Sequence, residues 1–317
     1  MNTLNNYTDP VDLRINIYRL AKRLAFILAL AVVVKLVFFD TVAVTTNLMA
    51  PSLIAGDRVL VSKLAYSFPF KLFFEPKINS IVIMRDPSMP EKFFSYRLAA
   101  LPGDSVYIDQ GVFHNASRPD MEYLSSIEPE DIVPPDFSPR DYLQPLKLPR
   151  KGDEIHLDSL QLRDLIFTIS MIRQENPDNE YAVKARIFID GKEEKAFELE
   201  DFTLFDGKLD SIPPTFHFNY FFWDRLKAYL INTNKESDVE LAVFCEENGK
   251  RLFKYKLKKS YIFLLSDDWQ RGYDSRFIGP RMLSSVKGRV RFVLWSFKPG
   301  EPFFKALRTN RIMKIIK

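Results

Sequence analysis

The chain has 317 residues, 45 Lys and Arg against 41 Asp and Glu, and a net charge of +4. With 46% hydrophobic residues, 28 Phe and 13 Tyr among them, it can bury a sizeable core as one large domain or two, which excludes a disordered chain. The mild charge and the lack of a basic-aromatic pattern exclude a nucleic-acid partner. The single cysteine, Cys245, excludes an intrachain disulfide and a cysteine-based zinc cluster. His114, His156 and His217 lie too far apart for ligand spacing, so neither metal nor cofactor is expected.

In chain order, a polar start leads to residues 13–23, which carry Arg14, Arg19, Lys22 and Arg23. An apolar run follows from Leu24 to Val34. Lys35 interrupts it and Leu36-Val37-Phe38-Phe39 resumes it. A spanning helix needs about 20 residues. Residues 24–44 supply that length if Lys35 and Asp40 lie near the far interface, where a lysine can snorkel. A cleaved signal peptide is the rival reading, disfavoured because no small-x-small site ends the run; a buried core helix is a weaker one. The basic cluster predicts a cytoplasmic segment 1–23 and places everything after Asp40 outside the inner membrane.

Next stands Thr46-Asn47-Leu48-Met49-Ala50-Pro51-Ser52-Leu53-Ile54-Ala55-Gly56-Asp57. Pro51 bends it, Gly56-Asp57 is a turn signal, and Val59-Leu60-Val61 reads as a strand. Strands are also predicted at residues 79–86, 93–99 and 105–108, with 111–113 as a hairpin partner. The strand at 93–99 leads through Tyr96-Arg97-Leu98-Ala99-Ala100 into the turn Leu101-Pro102-Gly103-Asp104. Residues 115–258 read as an insertion. It opens as a Pro-rich, acidic covering loop, then shows helical spacing over 159–176. Strands follow around Asp190-Gly191-Lys192, then a hairpin over 239–258 with Glu247-Asn248-Gly249-Lys250 at its tip. The chain returns at Tyr261-Ile262-Phe263-Leu264-Leu265, then carries Ser266-Asp267-Asp268 and Asp274-Ser275-Arg276-Phe277-Ile278-Gly279. Residues 286–297 read as a closing strand. A basic tail, residues 301–317 with Arg308, Arg311, Lys314 and Lys317, is expected near lipid headgroups.

Three of these stretches, in order behind one apolar segment, resemble the boxes of the bacterial type I signal peptidases, membrane-bound serine proteases with a Ser-Lys dyad. The first family box is roughly Ser-x-Ser-Met-x-Pro-Thr-Leu-x-x-Gly-Asp, and residues 46–57 match it. The second, roughly Lys-Arg-x-x-Gly-x-Pro-Gly-Asp, stands as residues 96–104. The third, roughly Gly-Asp-Asn-Arg-x-x-Ser-x-Asp-Ser-Arg-x-x-Gly, is matched by Asp267, Asp274, Ser275, Arg276 and Gly279, whereas Ser266 and Asp268-Trp269 replace Gly and Asn-Arg. The resemblance implies a mostly β fold: a coiled antiparallel barrel from residues 45–114 and 259–300, with residues 115–258 as an inserted α/β cap and one N-terminal transmembrane helix. It implies a location at the bacterial inner membrane, with the main domain on the outer, periplasmic face.

The same alignment removes the chemistry. In the family a Ser hydroxyl attacks the peptide carbonyl, and a neutral Lys takes its proton. Leu48 stands at the nucleophile position and Tyr96 at the general-base position. A Tyr ring titrates near ~10 and cannot reach as a Lys stem does. Thr46 keeps the position of the oxyanion-hole hydroxyl. Asp267, Asp274, Ser275 and Arg276, which support the catalytic Lys in the family, are read here as a structural ion-pair and turn network. Leu48 beside Tyr96 is expected to fill the volume of the scissile carbonyl. Three functions follow. The first is a non-catalytic homologue that binds extended peptides, preprotein segments or an envelope partner by strand addition at the membrane lipid surface. The second is an active signal peptidase with a relocated dyad, for which Ser52, Ser95, Lys63 and Lys92 are the residues at hand. The third is a structural subunit of an envelope assembly.

Overall fold

The computed structural model describes residues 10–86, 89–120, 131–194 and 212–316. The expectation for the polar start, part of the covering loop and the final Lys317 lie outside these residues. The first element is helix α1 (Pro10–Phe38), which runs directly into strand β1 (Phe39–Ala43). The expected helix over residues 24–44 therefore stops earlier. β-branched Thr41, Val42 and Val44 favour an extended chain, and alternation buries Val42 and Val44 in the sheet's core. The uninterrupted apolar run is bounded by Arg23 and Lys35. No helix among the described residues is long and apolar enough to cross a membrane.

The body is organised on an open antiparallel sheet of seven strands. Chain order supplies β2 (Asp57–Ser62), β3 (Ile81–Asp86) and β4 (Met89–Ala100). The small strands β5 (Ser105–Asp109), β6 (Val112–Asn115), β7 (Leu143–Lys147) and β8 (Glu154–His156) follow. Helix α2 (Leu162–Glu175) precedes β9 (Tyr181–Ile189) and β10 (Lys192–Glu194). The short α3 (Pro214–His217) and α4 (Tyr220–Thr233) come next, then β11 (Val239–Glu247), β12 (Lys250–Arg251), β13 (Lys254–Lys256) and β14 (Tyr261–Leu265). The chain ends with α5 (Ser275–Ile278), β15 (Arg281–Met282), β16 (Val286–Ser296) and α6 (Phe303–Ala306). The sheet order is β1-β2-β16-β3-β4-β14-β15. It is a half-barrel with two edges, where a coiled antiparallel barrel was expected. Register shifts along β16 and between β4 and β14 bend it.

Strand alternation divides the apolar side chains between the two faces. One face carries Val59, Val61, Ile81, Ile83, Val290 and Val293. Met49 and Leu53, from the loop after β1, are sealed against it. The other carries Val82, Met84, Leu98, Ile262 and Leu264. The inserted residues form a lobe whose α2 and α4 pack with Ala99, Ala100, Phe263 and Leu265 of the sheet in one continuous core. The Asp190-Gly191 and Asn248-Gly249 hairpin tips take the left-handed conformation their residues favour. Helix α4 was not anticipated from the sequence. Its Asn219 cap accepts from the main-chain N–H groups of Phe221 and Phe222, and Trp223, Leu226 and Leu230 bury its inner stripe.

Two cations of the basic tail, Arg308 and Arg311, are engaged by the protein itself. Arg311 turns inward and grips buried Asp57 with both arms, at 2.9 and 2.5 Å, and also donates to the Ser52 carbonyl. Arg308 donates to the Ala55 carbonyl and the Ser296 hydroxyl. A bidentate guanidinium is the strongest partner a buried carboxylate can find, and it outweighs an exposed position at a lipid surface. Burial alone would raise the Asp57 carboxyl. Hydrogen bonds from Arg311, Ser296 and the Ile54 N–H, with the Arg311 charge, outweigh burial and hold it below the ordinary range. A depressed carboxyl makes the unfolded chain bind more protons, so this stabilisation is present at neutral pH and lost as pH falls below about 4. Asp57→Asn should therefore destabilise the protein at pH 7 by more than at pH 3 in urea unfolding. An equal loss at both values would contradict this account of the turn.

Candidate functional site

Three separate segments converge at one end of the sheet. The loop after β1 is set by hydrogen bonds from the Ala50 N–H to the Asn47 carbonyl, the Leu53 N–H to the Met49 carbonyl and the Ala55 N–H to the Asn47 side chain. Gly56 closes it with φ +95°. A Cβ there would lie 1.8 Å from the Phe297 carbonyl, so only glycine fits beside the end of β16. Leu48 is partly buried, and its carbonyl accepts from the Asp268 N–H at 3.0 Å. Thr46 faces a groove described below.

On β4 alternation sends Tyr96 and Arg97 to opposite faces. Tyr96 is 5% exposed and packs with Val82, Met84, Leu98, Ile262 and Leu264, its ring stacked on Phe94. Its hydroxyl donates to the Tyr273 carbonyl at 3.3 Å. Arg97 makes a fork on Asp267, with both contacts at 2.6 Å, and also donates to the Asn79 carbonyl and the Ser52 hydroxyl. The Leu48 and Tyr96 positions are thus joined through the 266–274 loop, which holds one by a main-chain bond and the other by its hydroxyl. Tyr96 is filled in by its own face of the sheet. Leu48 belongs to none of the buried apolar groups among the described residues.

The third segment holds a fully buried polar structure. Asp274 and Arg276 are both fully buried and meet twice at 2.9 Å. Asp274 also accepts from the Ser266 N–H and caps α5. Arg276 donates to the Trp269 carbonyl, and its guanidinium lies 4.1 Å from the centre of the Trp269 ring. The Ser275 hydroxyl accepts from the Leu264 N–H, beside the register shift in β14. Gly279 ends α5 with φ +75° against Phe167 of α2, where a Cβ would come within 2.7 Å of the ring. A serine and a glycine have also exchanged places. A Cβ on Gly272 would stand 2.3 Å from the Ser266 Cβ, so the Ser266 side chain occupies the space a residue at 272 would need.

Sequence reasoning missed the link from this network into the inserted lobe. The Trp269 indole donates to Asp141 at 2.7 Å, and Asp141 pairs with Arg140 and accepts from the Val133 N–H. Nothing in the spacing of Asp141 signals this. Arg97 could have been found, because it stands inside the second box beside Tyr96.

The groove beside Thr46 has a volume of about 590 Å³ and runs between β1 and the start of β4. The Val44 N–H donates to the Asp57 carbonyl, and the Lys63 N–H donates to the Phe38 carbonyl. Even-numbered main-chain groups of β1 thus face β2, and those of Thr41, Ala43 and Thr45 point outward. No strand pairs with that edge among the described residues.

A family described as signal peptidase, peptidase S26, matches residues 17–295, which span all three segments. The chain belongs to the S26 signal peptidase family. A probable signal peptidase I-1 of Synechocystis sp. (strain ATCC 27184 / PCC 6803 / Kazusa) is 26% identical over 114 residues, 34% of this chain and 56% of that protein. The match thus spans about half the length of that curated relative. A crystal structure of a signal peptidase I from Enterococcus faecalis V583 overlaps 68% of this chain and 97% of its own, at 13% identity and a TM-score of 0.23. Within this S26 chain, Arg97–Asp267 and Asp274–Arg276 tie the loops around Leu48 and Tyr96 together.

Proposed function

We propose that this chain is a non-catalytic member of the signal peptidase family that binds extended peptide segments at a membrane surface. The observation that carries this is the pair Leu48 and Tyr96, beside an intact groove with an open strand edge. Neither side chain can act as nucleophile or neutral-amine base. Three of the four residues at hand for a relocated dyad support the same reading, and the fourth, Lys92, lines the groove with no serine among the lining residues. The Ser52 hydroxyl meets Arg97, a group that stays protonated and is already clamped by Asp267. Ser95 is buried, and the Lys63 ammonium donates to the Leu36 carbonyl.

The apolar side chains of α1 from Leu24 to Val37 are exposed on every side, as suits a helix set into lipid. In this reading α1 crosses the bilayer although its apolar run between Arg23 and Lys35 is short of a full span, which requires the flanking cations to snorkel. Arg19, Lys22 and Arg23 favour a cytoplasmic start with the body on the outer face. Protease added to intact spheroplasts then digests the body; full protection would reverse the orientation.

An extended peptide adds to the outer edge of β1, where Ala43 and Thr45 supply main-chain partners and Phe93 and Phe94 line the floor. Fluorescence anisotropy with a labelled preprotein peptide tests this. Binding is expected, with a loss of at least about tenfold when alternate peptide nitrogens are methylated, since each lost main-chain bond removes about 1 kcal/mol. An absence of peptide binding would favour a purely structural subunit.

A further inference from the structure

The structure assigns a binding site for the phosphate headgroup of an anionic phospholipid to a second concavity, where α1 enters the sheet. This cavity, about 680 Å³, is lined by Lys77, Arg289 and Arg291, with Phe39, Phe292 and Ile315 around them. No carboxylate among the described residues lines it. None of the three cations forms an ion pair among the described residues. The acidic side chains that neighbour the lining residues in sequence are otherwise placed: Asp40 pairs with Lys287, and Glu75 is exposed in the loop before Lys77.

The sheet places these groups. Phe39 pairs with Ser62, and Ser62 with Arg289, so Arg289 lies two strands from the residue that follows α1. A register shift between Val290 and Phe292 leaves Arg291 exposed, and a bridge from Phe292 brings Ile315 alongside. The Arg289 Nε is buried with no hydrogen-bond partner. Burial and the neighbouring Arg291 charge both make the Arg289 cation less favourable than usual. A buried guanidinium nitrogen beside a second cation, with no carboxylate paired to it among the described residues, is a costly arrangement that an incoming anion would relieve.

The surroundings decide which anion. A free phosphate needs only the cations. Here they are set in exposed apolar side chains continuous with α1. The Phe70 ring lies 4.9 Å from that of Phe38 at the end of the helix. In the same loop Phe68, Leu72 and Phe73 are each at least 68% exposed, and Ile315 is 74% exposed. Acyl chains can lie along α1 and these side chains while the headgroup phosphate reaches Lys77, Arg289 and Arg291. The cations expected for this role in the C-terminal tail, Arg308 and Arg311, are engaged by the protein itself.

This reading rests on α1 lying in lipid, and the experiment separates the two. The full chain, purified in neutral detergent, is unfolded thermally with mixed micelles of phosphatidylglycerol or phosphatidylcholine, or with inorganic phosphate. Phosphatidylglycerol is expected to raise Tm by several degrees more than phosphatidylcholine, and inorganic phosphate to leave it unchanged. Lys77→Gln with Arg291→Gln, both at exposed positions, should remove at least half of that difference; adding Arg289→Gln should remove the rest, and Arg289→Lys should restore part of it. Equal shifts with the two lipids, a full shift with inorganic phosphate, or an undiminished shift in the Lys77→Gln/Arg291→Gln variant would each overturn the assignment. Failure of the natural protein to float with vesicles of either lipid would instead count against the membrane placement of α1.

Discussion

Replacing Arg276 by Ala is expected to destabilise the protein by about 3–5 kcal/mol in urea unfolding, the usual consequence of stripping a buried charge of its partner. Asp274 would stay at zero exposure and lose both contacts at 2.9 Å. The Trp269 and Gly272 carbonyls would lose their donor, and the Trp269 ring the cation above it. The damage should spread, because Trp269 also carries the hydrogen bond to Asp141 that holds the inserted lobe against the sheet. A paired replacement, Asp274→Asn with Arg276→Met, should recover part of the loss by removing both charges together. A loss below about 1 kcal/mol for Arg276→Ala would mean that the site is held by packing alone.

Restoring the family chemistry should cost stability. In a Leu48→Ser, Tyr96→Lys double variant the greater loss comes from position 96. There the ring packs with Val82, Leu98, Ile262 and Leu264. Its removal leaves a void, and an unpaired ammonium enters an apolar surround, together worth about 2–4 kcal/mol. That lysine has a lowered pKa, so the unfolded state binds the extra proton and the variant gains stability as pH rises towards the ordinary lysine range. Position 48 should contribute little, since Leu48 is only partly buried. The expectation that Leu48 and Tyr96 jointly plug one pocket is thus replaced by a division of labour. Single Tyr96→Lys should carry nearly the whole loss and Leu48→Ser under about 1 kcal/mol. Equal losses at the two positions would restore the joint-plug explanation.

What was legible in the sequence was whatever is encoded locally. Pro51, Gly56-Asp57 and the Pro-Gly-Asp turn mark the loops, and short apolar runs mark β2, β3, β14 and β16. The family boxes located Leu48, Tyr96, Asp267, Asp274, Ser275 and Arg276, and the fold brings all six to one end of the sheet. Features set by distant pairing were not legible. The end of α1 is decided by β1 finding β2, and apolar content alone extends the helix through Val44. The inward turn of Arg311 depends on Asp57, more than 250 positions away. Barrel closure is likewise a property of the edges: β1 and β15 stay unpaired with each other, and no short-range pattern reports that. Helix α4 went unread because aromatic residues crowd its first turn and obscure the apolar period.

The central claim is that this S26 family member binds peptide without cutting it. The measurement that tests it most directly is preprotein cleavage by the purified full chain in detergent, with an active signal peptidase alongside at equal concentration. Removal of a nucleophile and its base typically lowers turnover on the order of a million-fold. The expected result is no processed product from the natural protein, although the same preprotein peptide binds in the anisotropy measurement. Processed product at the normal cleavage site, formed at a rate proportional to the concentration of this chain and lost on Ser52→Ala, would contradict the account and assign the chemistry to a relocated dyad.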